Sequence, residues 1–220
     1  MREIITLIEK EIRLEWRQKY ALNGMLLYLI STVYVCYQGF KAKSGIIEPI
    51  TWNTLFWVIM LFTGVNSIAR SFLQERSGRL IYLYTLASPR GIILSKIIYN
   101  TLLMSVLALI GFLFYSLVMG NPVQDQLYYI ISILLGSIGF ATTLTLIAGI
   151  ASKAENNGTL MAILSFPIIL PTLLIVMKLS KNAMDGLERI SSQNEMLMLL
   201  GLDLLVVALS YILFPFLWRS

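Results

Sequence analysis

Apolar residues run along this chain in long blocks, with the polar positions gathered between them. A helix needs about 20 predominantly apolar residues to cross a bilayer. Six stretches qualify: Ala21–Phe40, Thr51–Ala69, Ile97–Met119, Gln126–Ser152, Gly158–Met177 and Met196–Trp218. The first five hold no Asp, Glu, Lys or Arg, and the sixth holds only Asp203. The pattern predicts an all-α membrane protein, a single transmembrane domain over residues 1–220 with six transmembrane helices. Ahead of the first span the period changes. Ile4, Ile8, Ile12, Trp16 and Tyr20 recur every four residues, and Ile5 widens the stripe. Glu9 with Arg13, and Glu15 with Lys19, are i,i+4 pairs on the polar side. Residues 1–19 are therefore expected to form an amphipathic interfacial helix, with Trp16 and Tyr20 at headgroup depth. Its plain role is an anchor; the alternative is an elbow that also braces a partner domain.

Composition supports the membrane reading. The 220 residues are 57% hydrophobic and 13% charged, where a soluble domain carries about 25% charged residues. The formal charge of +5 reflects topology rather than nucleic-acid binding, because the basic residues cluster at span ends. With the N-terminus inside, Arg2, Lys10, Arg13, Arg17, Lys19, Arg70, Arg76, Arg79, Arg90, Lys96, Lys153 and Arg219 fall on the cytoplasmic side. Lys41, Lys43, Lys178, Lys181 and Arg189 fall on the other. Twelve against five places both termini in the cytoplasm of a multi-pass bacterial inner-membrane protein. The first twenty residues carry Glu, Lys and Arg and no short apolar core, so insertion is expected to use the mature helices.

Chemistry in the chain is sparse. There is no histidine and one cysteine, Cys36, which removes the commonest metal ligand, haem ligand and general base. No phosphate-binding loop, zinc-protease or hydrolase motif is present. The chain is expected to be non-catalytic and to bind no cofactor directly. Metal, haem or ATP chemistry would belong to partner chains.

Four features stand out against that background. The longest connection on the inner side, Leu73–Lys96, reads LQERSGRLIYLYTLASPRGIILSK. Gly78 breaks the end of the second span, and Leu80, Leu83 and Leu86 recur at helical spacing. The expected form is a short helix along the membrane, a turn at Ser88–Gly91, and then the third span, with Pro89 as a helix-start signal. As a coupling helix it would present an apolar ridge flanked by Arg76, Arg79 and Arg90 to a motor domain. The plain alternative is a connector that covers lipid. Span four carries small residues at four-residue intervals, Ser137, Ala141, Thr145 and Gly149, a pattern for close helix packing. Span five carries Pro167 and Pro171 one turn apart. Each removes a backbone donor, so a kink or break is expected there, static or hinged. Asp203 is an intramembrane carboxylate and a functional candidate on cost alone.

The chain resembles the CcmB family, the membrane subunit of the cytochrome c maturation ABC transporter, also called haem exporter protein B. The resemblance runs the whole length. Its most specific parts are Gly158-x-Leu160, Ile163-Leu164 and Pro167-x-x-x-Pro171 in span five, with Gly78-x-Leu80, Pro89 and Leu94-x-Lys96 in the connection. The chain departs from the family pattern at Ile81, where an acidic residue is frequent, and in keeping only Glu75 just before Gly78. The resemblance implies an ABC-2-type permease driven by a separate ATP-binding subunit (CcmA-like). It also implies a haem-handling membrane subunit (CcmC-like) and a small single-span subunit as partners, with haem handled by the complex. Under it, Glu75, Arg76, Gly78, Arg79, Leu80, Leu83 and Pro89 are the residues expected to couple to the ATPase. A permease for another amphiphile, such as a lipid or peptide, and a membrane scaffold without a motor stay open as alternatives.

Overall fold

A computed structural model describes residues 2–17, 19–41, 47–73, 87–152 and 157–219. Among them the chain forms seven α-helices and one 3-10 turn. The helices are α1 (Arg2–Arg17), α2 (Lys19–Lys41), α3 (Pro49–Leu73), α4 (Pro89–Met119), α5 (Gln126–Ala151), α6 (Asn157–Met184) and α7 (Gln193–Arg219). The 3-10 turn is Arg189–Ser192. Five of the helices, α3 to α7, are long and apolar enough to cross a membrane singly. Counting α1 and α2, bent by 68° at their junction, as one broken span gives six. α2 is the most polar of the crossing candidates, with Asn23, Ser31, Thr32 and Gln38 along it. The Ser31 and Thr32 hydroxyls donate back to the Tyr28 carbonyl, which hides their polarity inside the helix.

α5 is the axis of the bundle. It packs against α3, α4, α6 and α7, and most of its residues are buried. A helix that is apolar on every side belongs in the middle of a bundle. Ser137, Ala141, Thr145 and Gly149 are all buried on it. Gly139 allows a close approach. A Cβ there would lie 2.6 Å from Thr172 Cγ2 on α6 and 2.7 Å from Asp203 Oδ1 on α7. The periphery is the reverse, with Leu113 62% and Leu117 76% exposed. Side chains of that kind, side by side around a bundle, are suited to lipid rather than water.

Between the ends of α3, α5 and α6 lies a buried polar and aromatic network. Tyr129 Oη and Ser180 Oγ both donate to Asn53 Oδ1, at 2.9 and 3.0 Å. Asn53 Nδ2 donates to the Met177 carbonyl at 2.9 Å, and Trp57 Nε1 donates to Ser180 Oγ at 2.8 Å. Each buried polar group here has a partner, which is the condition for burying it at all.

Two expectations are corrected. There is no turn at Ser88–Gly91: α4 begins at Pro89 and runs 31 residues without interruption. Ser88 is its N-cap, accepting from the Gly91 N–H, and proline at the first helical position needs no hydrogen bond. α4 is about 46 Å long, well over the roughly 30 Å of a hydrocarbon core. Its surplus lies at the Pro89 end. Of the kink or break expected in span five, the break is absent, since α6 is continuous through Pro167 and Pro171. Both prolines sit on an exposed face, where their rings have room and neighbouring hydrogen bonds carry the helix on.

Candidate functional site

The connection between α3 and α4 carries Glu75, Arg76, Gly78, Arg79, Leu80 and Leu83, and all six lie outside the described residues. The two roots of that connection are described: one ends at the buried Lys96 and the other at an exposed contact between Ser88 and Glu3. Lys96 of α4 is 1% exposed. Its ammonium donates to the Ser71 carbonyl at 2.9 Å and to Ser71 Oγ at 3.3 Å, near the end of α3. The same ammonium stands 3.6 Å from Glu11 Oε1 of α1, which also pairs with Lys10 at 3.3 Å. At the other root, Glu3 Oε1 accepts from the Ser88 N–H at 2.6 Å and the Ser88 hydroxyl at 3.0 Å. Further along, the Tyr99 hydroxyl faces the Glu15 carboxylate.

These pairs share a register. Glu3 meets Ser88, Glu11 meets Lys96, and Glu15 meets Tyr99, so α1 runs beside the first three turns of α4 in the same direction. Glu11 and Glu15 are one turn apart, and Glu3 stands two turns before Glu11, which puts a row of acids along the α4 side. The apolar stripe read from the sequence is split by the same packing. Ile4 and Ile8 are half-buried against the protein, whereas Ile5, Ile12 and Trp16 are 62%, 45% and 73% exposed. α1 thus turns Glu11 and Glu15 inward and its largest apolar groups outward. The predicted Glu9–Arg13 pair is present at 2.6 Å on the exposed side.

The cluster continues inward from Tyr99. Asn100 Nδ2 donates to Thr145 Oγ1 at 2.8 Å, which joins α4 to the small-residue stripe of α5. The Arg90 guanidinium lies 4.9 Å over the Tyr211 ring and joins the start of α4 to α7. Pro89 is therefore the first helical residue of an element held from three sides. A buried ammonium needs a counter-charge and hydrogen-bond acceptors, and this one has both.

The remaining candidates sit elsewhere. Asp203 lies between α5 and α6 beside Gly139 and Thr172, 5% exposed, and its Oδ2 has no hydrogen-bond partner among the described residues. Pro167 and Pro171 face outward from α6, away from this cluster. No group of three or more His, Cys, Asp or Glu suited to a metal ion occurs among the described residues. Sequence reasoning placed Lys96 as a flanking cation and in the Leu94-x-Lys96 element of the family resemblance, and gave Glu3 and Glu11 no role. The available signal was the acid row of α1, repeating at helical spacing alongside a lysine ahead of an uncharged span.

A family model described as CcmB protein matches residues 2–217. This chain belongs to the CcmB family. Among curated proteins none matches it. Membership makes it a membrane permease subunit of ABC-2 type, of the haem exporter in cytochrome c maturation, and the multi-pass helical architecture agrees. Within this family the connection between α3 and α4, and the cluster at its roots, become the point of interest.

Proposed function

We propose that this CcmB-family chain couples ATP hydrolysis in a separate ATP-binding subunit (CcmA-like) to helix movement in a cytochrome c maturation complex. The observation that carries the proposal is the cluster around Lys96, which ties both roots of the 74–86 connection to α1 and, through Asn100, to the central helix. A segment pushed by a motor transmits force only if its ends are held; one end of this one is held by the buried Lys96 ammonium on Ser71 and the other by the exposed hydrogen bonds of Ser88 to Glu3. In this reading Glu75, Arg76, Gly78, Arg79, Leu80 and Leu83 meet the ATPase, and Pro89 starts the lever. Pro167 and Pro171 are the compliant region of α6. Asp203 and the stripe Ser137, Ala141, Thr145 and Gly149 adjust packing around α5.

The chain itself would catalyse nothing and hold neither ATP nor haem. A haem-handling membrane subunit (CcmC-like) and a small single-span subunit would complete the complex, which delivers haem or releases its chaperone. The basic flanks favour a cytoplasmic connection, with both termini on that side of the inner membrane. The test is a complex purified with its ATPase carrying Glu75→Ala, Gly78→Pro or Leu83→Asp. The expected result is weakened ATPase association, or hydrolysis without cytochrome maturation. If association and maturation both persist, the coupling assignment is wrong.

A further inference from the structure

The outward surface of α1 is divided into two sectors, and of their groups only Lys10 touches the cluster on α4, through Glu11. Ile5, Ile12 and Trp16 form one, exposed and apolar. Beside it runs a basic sector, where Lys10, Arg13 and Arg17 line an open groove of about 320 Å³ with Thr6, Glu9 and Leu14. Lys10, Arg13 and Arg17 are spaced i, i+3 and i+7, so their side chains stand in one stripe over two turns. Glu9 pairs with Arg13 at 2.6 Å and Glu11 with Lys10 at 3.3 Å. The groove keeps two more cations than anions, since Glu9 is the one acid among its lining residues. α2 starts at Lys19, two residues after Arg17, so the C-terminal turn of α1 stands where a membrane-crossing helix begins.

We propose that the Lys10, Arg13 and Arg17 stripe is a binding site for the headgroup of an anionic phospholipid, with its acyl chains against Ile12 and Trp16. The pairing of sectors carries the choice of occupant. An acidic protein surface would satisfy the cations and leave Trp16 and Ile12 in water, whereas a phospholipid satisfies both sectors at once. Glu11 holds Lys10 and Glu9 holds one side of Arg13, which leaves Arg17 and the outer edge of Arg13 to the phosphate. The proposal depends on α1 lying at the bilayer surface and not on the coupling role, so either can fail alone.

The experiment uses the full chain in a neutral detergent, with thermal unfolding followed as phosphatidylglycerol, phosphatidylcholine or inorganic phosphate is added. Phosphatidylglycerol should raise the midpoint, and the other two should not. In Arg13→Gln/Arg17→Gln the midpoint without lipid should be unchanged, because both residues are exposed. The phosphatidylglycerol concentration needed for half the effect should rise roughly 25-fold, about 5-fold per arginine. Arg13→Lys/Arg17→Lys should keep most of the response. Equal stabilisation by phosphatidylcholine would overturn the proposal, as would an undiminished response in the Gln variant. A Gln variant that loses a co-purified ATPase while keeping its lipid response would reassign the surface to a protein partner.

Discussion

Lys96 shows how far a residue's role depends on what stands opposite it. In sequence it is a cation at the edge of an apolar run, one of several that set topology. In the fold its ammonium is enclosed between the Ser71 carbonyl and Glu11. Lys96→Met should therefore cost on the order of 3 kcal/mol, read as a lowered unfolding midpoint in detergent, because it strands a carboxylate and a carbonyl. Adding Glu11→Gln removes the stranded charge and should return part of the loss. If the double variant is as unstable as the single, Glu11 is not the counter-charge. Gly139 makes the complementary case, where an absent side chain matters. The Cβ of Gly139→Ala would meet Thr172 and Asp203 at distances that bonded neighbours alone tolerate. A loss of about 1–3 kcal/mol is expected, and an unchanged midpoint would mean that α6 and α7 separate freely there.

At the scale of elements, α1 and α6 depart most from their sequence reading. The interfacial helix was legible from its four-residue apolar period, and so was its separation from α2. Its docking was not, because a helix's periodicity gives the width of its faces and not the surface each one meets. The start of α4 was legible in Pro89, yet the eight residues from Pro89 to Lys96 looked like a loop because they carry two cations. α6 tolerates its prolines without breaking. If that tolerance supplies compliance, Pro167→Ala/Pro171→Ala should raise the unfolding midpoint slightly and lower cytochrome maturation at unchanged ATPase association. Full maturation in this variant would assign the prolines to static shape.

At the scale of the whole molecule, the end opposite the Lys96 cluster is closed by a surface ion pair. Asp125 caps α5 by accepting from the Tyr128 N–H at 3.0 Å, and it accepts from Arg189 at 2.9 and 3.0 Å. The Tyr128 hydrogen bond first, and then Arg189, hold its carboxyl below the usual aspartate range. A lowered folded-state pKa gives stability that is present above the unfolded value, about 3.9, and is lost as pH falls through the folded value. Asp125→Asn should be less stable than the parent at neutral pH, and the difference should shrink below about pH 4. A difference that is independent of pH would leave the carboxylate no part in it. Topology is testable on the same scale. In a Cys36→Ser background, single cysteines at Arg17 and Arg189 should react with impermeant reagent from opposite sides of the membrane. Labelling from one side would overturn the assigned orientation.

The sequence by itself determined that the chain is helical, that it crosses a membrane several times and that it belongs with the CcmB permeases. The first two rest on length, apolar content and local spacing, which are properties of each segment alone, and the third on a family match along residues 2–217. Only the tertiary structure decided that a lysine at the rim of one span is buried, that it grips the end of another helix, and that the acids of α1 fall in register with α4. Such pairings join residues up to 85 positions apart, and their strength depends on partners and low-dielectric surroundings that exist only once the helices have packed. The helix foreseen at the N-terminus is thus also packed along α4, whose first turns precede the predicted span.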